Sequence, residues 1–171
     1  MVFAESSCKA SEMELERLMT CYGDEIKRLC CLYTKDMALA EDAAQETFIK
    51  AWRSYDQFRG DCSEKTWLTH IAVNICRDML RTAWFRRMDR RRVPEELPLI
   101  QEGSMPDPTL AQEIMALSRP YREVILLYYY QGFNAAEIAE ILGANVSTVK
   151  SRLQRAREKL KLKLEGWYWN E

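Results

Sequence analysis

The chain has 171 residues, 47% of them hydrophobic, 11% aromatic and 30% charged, with a formal net charge of -1. These values allow one or two small domains with real cores and exclude a disordered or low-complexity chain. No apolar run approaches the roughly twenty residues that span a bilayer, and the N-terminus lacks the basic start and apolar stretch of a leader, so a cytoplasmic protein is expected.

Six cysteines show no CxxC spacing and accompany a single histidine, His70, which argues against a metal site. Cys21, Cys30 and Cys76 fall inside helical patterns and are expected to be reduced, partly buried small apolar residues. One histidine, no glycine-rich phosphate loop and no nucleophile motif likewise give no catalytic residue and no cofactor site.

Helical periodicity predicts elements over about 12–34, 37–55, 63–88, 109–117, 119–131, 135–142 and 146–164, with no competing strand pattern. The expected fold is therefore all-α. In the second element, LAEDAAQETFIKAW, Asp36 can cap the helix, and Ala44, Phe48, Ala51 or Trp52, and Tyr55 form an inward stripe. Asp42, Gln45, Glu46 and Ile49 are left on a mixed acidic and apolar outer face, which suits a basic protein partner as well as plain solvent.

Next comes the polar loop Phe58, Arg59, Gly60, Asp61, Cys62, Ser63. The helix after it carries an apolar stripe of Leu68, Ile71, Ile75 and Met79, with Asn74, Arg77 and Arg81 on an adjacent polar face leading to Arg86, Arg87, Arg90, Arg91 and Arg92. Phe58 and Trp67 can equally be ordinary core, whereas asparagine is a poor mid-helix residue, so Asn74 needs a local hydrogen-bonding reason.

Val93 to Pro108 holds four prolines, a glycine and several acids. It cannot continue a helix and reads as a flexible linker, which divides the chain into domains over 1–92 and 109–171 joined by 93–108. Ser118 can cap the helix after the next break, with Pro120 in its first turn.

Asn134 to Leu160 then reads as a helix-turn-helix. Ile138, Ala139 and Leu142 form the apolar face of a short first helix, Gly143 makes the turn, and Val149, Leu153, Ala156 and Leu160 hold down the second. Ser147, Lys150, Ser151, Gln154 and Arg155, with Thr148 beside them, share a polar face that can lie in a major groove; a solvated helix in a bundle is the plainer alternative. Arg157, Lys159 and Lys161 lie farther along, where phosphate or solvent is the expected neighbour. Charge is locally strong despite the neutral total: seven basic residues face one acid between Asn145 and Lys163, and seven arginines face two aspartates between Arg77 and Arg92.

Three segments in this order resemble the extracytoplasmic-function sigma factors of bacterial RNA polymerase. AEDAAQETFIKAW resembles the family's polymerase-binding motif, FRGDCSEKTWLTHIAVN its promoter-melting segment, and the stretch from Leu117 to Leu160 its region four. The resemblance implies that Asp42, Gln45, Glu46 and Ile49 meet core polymerase. It also implies that Phe58, Arg59, Gly60, Asp61, Asn74, Arg77 and Arg81 serve the melted minus-ten element, with a flipped base held near the loop, and that the face from Ser147 to Arg155 reads duplex minus-thirty-five DNA. An anti-sigma factor is the further partner implied. His70, Glu64-Lys65 and Ser118 depart from the family's commoner residues. The rival reading is a helix-turn-helix regulator with an N-terminal helical interaction domain, which leaves the first two segments unexplained.

Overall fold

The computed structural model describes residues 2–89 and 108–168, with side chains described for 13–82 and 110–164. It contains α1 (Val2–Thr34), α2 (Met37–Ser54), α3 (Glu64–Asp89), α4 (Pro108–Ala116), α5 (Arg119–Ile125), α6 (Ala135–Leu142) and α7 (Val146–Tyr168), with no strand among the described residues. The chain divides into two compact units, Met1–Pro98 and Leu99–Glu171. The expected linker 93–108 lies outside the described residues except for Pro108, as do Arg90, Arg91 and Arg92.

In the first unit α1, α2 and α3 pack pairwise around Leu18, Leu29, Phe48, Leu68 and Val73, all buried. Each such leucine withdrawn from water contributes roughly 1.5–3 kcal/mol. The inner face of α2 is Ala40, Ala43, Ala44, Thr47, Phe48 and Ala51, and its alanines let the neighbouring backbones approach closely. Trp52 and Tyr55, expected on that stripe, are only half-buried, as are Ile71 and Met79 on α3, where Ala72, Val73 and Cys76 take the interior instead.

The turn from α1 to α2 places Lys35 at φ 56, and the Asp36 carboxylate accepts from the Leu39 amide at 3.0 Å, the cap read from the sequence. Cys30 and Cys76 are fully buried, and their mutual hydrogen bond together with burial raises the Cys30 thiol pKa. Cys21, expected to be partly buried, is exposed.

In the second unit, α5 gives way at Leu126 to a π-helical turn, Leu126–Tyr130, where a single helix over 119–131 was expected. The wider turn lets the Gln131 amide reach the Leu126 carbonyl at 3.2 Å and that of Phe133 reach Leu127 at 3.0 Å, keeping Leu126, Leu127 and Phe133 all in the core. Ser118 precedes α5 but makes no side-chain cap bond; its carbonyl accepts from Tyr121 and Arg122.

A capping box fastens α6: the Asn134 side chain accepts from Ala136 and Glu137 amides at 2.9 and 3.1 Å, while Glu137 accepts from the Asn134 amide at 2.8 Å. Its far end closes on Gly143 at φ 62, ψ 42, with the Ala144 amide bonded to the Ala139 carbonyl at 2.8 Å. Ile138, Ala139 and Ile141 are its buried residues, and Leu142 is half-exposed. The buried face is thus rotated by one residue from the expected one, since in so short a helix the positions of α7 and the Leu126–Tyr130 turn choose which side chains go inside.

Candidate nucleic-acid and protein-binding surfaces

On α7, Val149, Leu153, Ala156 and Leu160 are buried, which fixes the opposite face outward. Ser147, Lys150, Ser151, Gln154 and Arg155 are exposed there and Thr148 is half-buried. Ser151 donates to the Thr148 carbonyl at 3.0 Å, and the Gln154 amide donates to Glu158 at 3.1 Å, an exposed bond that a base edge can replace. Lys150 and Arg155 have no hydrogen bond or ion pair with other described residues, so their donors face solvent.

Farther along, the same helix behaves differently. Arg157 donates from Nε to the Tyr129 hydroxyl at 2.8 Å, and its guanidinium carbon lies 5.4 and 5.6 Å from the Tyr128 and Tyr129 ring centres. Lys159 sits over Tyr121 at 5.6 Å, and Lys163 pairs with Glu113. Arg157 and Lys159, expected to meet phosphate or solvent, are exposed to solvent and also tie α7 to the segment before it through cation–π contacts. The partner residues lie 28 or more positions away in the chain, beyond the reach of any periodicity argument.

On α2, Asp42, Gln45 and Glu46 are exposed, and Ile49 is 39% exposed beside them. The interior is directly behind, with Ala43, Thr47 and Phe48 buried. Lys27 of α1 is drawn to Glu41, at 2.9 Å, leaving the next acidic positions without an ion pair among the described residues. The result is a carboxylate and amide face with one apolar side chain, suited chemically to a basic helix.

The loop after α2 begins from an aromatic cluster. Phe58 and Trp67 rings lie 4.9 Å apart, and Tyr55 stands 6.0 Å from Trp67, so Phe58 is half-buried against protein. Arg59, Gly60 and Asp61 form the exposed tip, where Gly60 adopts φ +75, a left-handed conformation that disfavours any side chain. Ser63 ends the loop, its hydroxyl accepting from the Thr66 amide at 3.1 Å at the start of α3. On α3 itself Asn74 and Arg77 are half-buried, whereas Arg81 is exposed and bonded to Asp78 at 3.1 Å. An exposed i,i+3 pair of this kind is weak and easily exchanged for a phosphate.

The polar group that ties this loop to α1 leaves no periodic signal in the sequence. Arg17 binds both Glu14 and Glu64, and the Tyr55 hydroxyl lies 2.7 Å from Glu14 and 3.0 Å from Glu64. Hydrogen bonding to Arg17 holds both carboxyls below the usual carboxylate range, and the bond to Glu14 is the main reason the Tyr55 phenol is pushed up to about 12. No group of three or more potential metal ligands occurs among the described residues.

A helix-turn-helix with an exposed polar face, joined in one chain to a helical unit with an exposed acidic face, has the architecture of a DNA-binding protein with a second helical module. Residues 18–86 match the family Sigma-70 region 2, and residues 109–160 match Sigma-70, region 4. The chain is 34% identical over 161 residues to the ECF RNA polymerase sigma factor SigW of Bacillus subtilis, covering 84% of each. It is 32% identical over 151 residues to a probable RNA polymerase sigma factor, RfaY, of Xanthomonas campestris, covering 82% of this chain but 38% of that relative. Among solved structures it resembles the sigma factor RpoE of Bartonella quintana, in complex with the anti-sigma factor NepR, at a TM-score of 0.76 and 27% identity over 89% of this chain and 97% of the other. The chain belongs to the ECF RNA polymerase sigma factors.

Proposed function

We propose that the three surfaces divide the work of promoter recognition between them. The α2 face of Asp42, Gln45, Glu46 and Ile49 docks on a basic helical element of core polymerase. The 58–63 loop, with Asn74, Arg77 and Arg81, takes the melted minus-ten strand, and Ser147, Thr148, Lys150, Ser151, Gln154 and Arg155 read the minus-thirty-five element as duplex. The role is cytoplasmic and non-catalytic: binding free energy is converted into strand selection, with the bond-forming chemistry left to polymerase. An anti-sigma factor of the kind bound by the RpoE relative covers these faces until it is released.

The observation that carries this division is the contrast along α7, where Lys150 and Arg155 present unpaired donors while Arg157 and Lys159 also rest on tyrosines of the preceding segment. A base-reading face needs free donors on a rigid support. The α2 assignment is tested by a Gln45→Ala, Glu46→Ala double variant, which removes exposed groups only and is expected to fold normally yet compete poorly for core enzyme. Holoenzyme assembly at wild-type affinity refutes it.

A further inference from the structure

The loop from Phe58 to Ser63 is bracketed by two residues that meet in space. Tyr55, just before it, and Glu64, just after it, approach to 3.0 Å between hydroxyl and carboxylate. Both are then bound by α1, a helix outside the three surfaces assigned above. Arg17 reaches Glu64 with both terminal nitrogens, Nη1 to Oε2 at 3.1 Å, in the forked arrangement that fixes a carboxylate in orientation as well as position. Its Nε donates to Glu14 at 2.9 Å, and Glu14 accepts from the Tyr55 hydroxyl at 2.7 Å. Tyr22, one turn farther along α1, adds a bond to Glu64 at 3.3 Å.

The loop tip is built the opposite way: Arg59, Gly60 and Asp61 are exposed, and the left-handed Gly60 has nothing within 4 Å of where a Cβ would stand. Fixed ends with an open tip are the arrangement of a preorganised binding loop, which spends less of its binding energy on ordering when a ligand arrives.

We propose that Arg17 is a positioning residue for strand opening, acting through Glu14, Tyr55 and Glu64 to hold both ends of the 58–63 loop for the unstacked base without touching DNA. This rests on the assignment of the loop and Asn74 to base capture. Arg17 is 42% exposed at its side chain, and the Glu64 carboxylate it leaves is 22% exposed and keeps its bonds from Tyr22 and Tyr55, so Arg17→Ala is expected to leave the bundle folded. What is lost is the alignment of two loop ends.

The test uses reconstituted holoenzyme with wild-type, Arg17→Ala, Arg17→Lys, Glu64→Gln and Asn74→Ala chains. Open complex is followed by permanganate reactivity on duplex promoter and on a template with a pre-melted minus-ten bubble, and core affinity is measured by competition. Arg17→Ala is expected to slow opening on duplex about three- to tenfold, the factor that ordering one or two extra side chains imposes. The defect shrinks on the bubble, and core affinity is unchanged. Arg17→Lys keeps the charge without the fork and falls between. An Arg17→Ala, Glu64→Gln double variant is slowed by less than the product of the two single effects, because the two side chains share one contact in the network. Wild-type opening by Arg17→Ala and Glu64→Gln, while Asn74→Ala is defective, overturns the positioning role and spares base capture. Wild-type opening by all of them overturns base capture itself. Equal loss on duplex and bubble, or loss of core affinity in parallel, shows a general structural fault and also overturns the proposal.

Discussion

Two arginines two positions apart on α7 are expected to fail in opposite ways when truncated. Arg155 is exposed and has no polar partner among the described residues, so Arg155→Ala should leave folding unchanged and remove a donor from the proposed base-reading face. A lost base-edge contact costs about 1 to 3 kcal/mol, or roughly 5- to 150-fold in affinity, concentrated on the matched sequence. Arg157 has a hydrogen bond at 2.8 Å and two tyrosine rings beneath it. An exposed cation–π contact is worth about 0.5–1 kcal/mol and a net hydrogen bond about as much again, which after discounting for solvent leaves about 1 kcal/mol. In a unit of this size that lowers the melting transition by roughly 4–8 °C. Arg157→Ala should therefore lower the thermal midpoint of the unit containing α7 and weaken matched and scrambled duplexes alike. Holoenzyme titrated against both duplexes at several salt concentrations, beside calorimetry of the free chain, separates the two. Identical losses on both duplexes for Arg155→Ala, or an unshifted transition for Arg157→Ala, refutes the division of the helix.

Asn74→Ala should bind duplex promoter within holoenzyme yet give less open complex, read by permanganate on unpaired thymines; equal loss on a pre-melted template would point to misfolding instead. Gly143→Ala meets no atom within 4 Å but forces an L residue into φ 62, so roughly 1–2 kcal/mol should be lost from conformation alone, with Gly143→Asn losing less in the same denaturant titration. The Glu64 carboxyl is lowered chiefly by Arg17, so its contribution is present above the ordinary carboxylate range and disappears as pH falls through the lowered value. The gap in thermal midpoint between wild type and Glu64→Gln should accordingly be widest near neutrality and close below the ordinary range, and a gap that widens in acid contradicts the assignment.

Most helices were legible because their boundaries are written in local chemistry. Asp36, Asn134 and Gly143 each act within a few residues of where they stand, and the stripe Val149, Leu153, Ala156, Leu160 needs only helical spacing to be seen. The π-helical turn at Leu126 was invisible, since two adjacent leucines and three tyrosines fit an ordinary helix as well, and only the need to bury Phe133 decides between them. The pattern points Leu142 inward, yet Ile141 is the buried residue, a choice made by the neighbouring elements and not by the pattern itself. At the candidate site the outward faces of α2 and α7 followed from their buried opposites. The tyrosine seats of Arg157 and the Arg17 group did not, because they join residues 28 to 47 positions apart through side chains that look like plain solvated charge.

The first helix of the DNA-reading pair has only eight residues. Helices shorter than about 12–15 residues do not persist alone in water, so α6 exists because Asn134 and Glu137 secure one end, Gly143 closes the other, and α7 and the Leu126–Tyr130 turn pack against it with Ile138 and Ile141 buried. Such an element cannot be half present. A regulator that unfastens either end, or that draws α7 away from Ile138, dissolves the support beneath the recognition face without competing for a single base contact. Silencing of this unit can thus proceed by melting as readily as by masking.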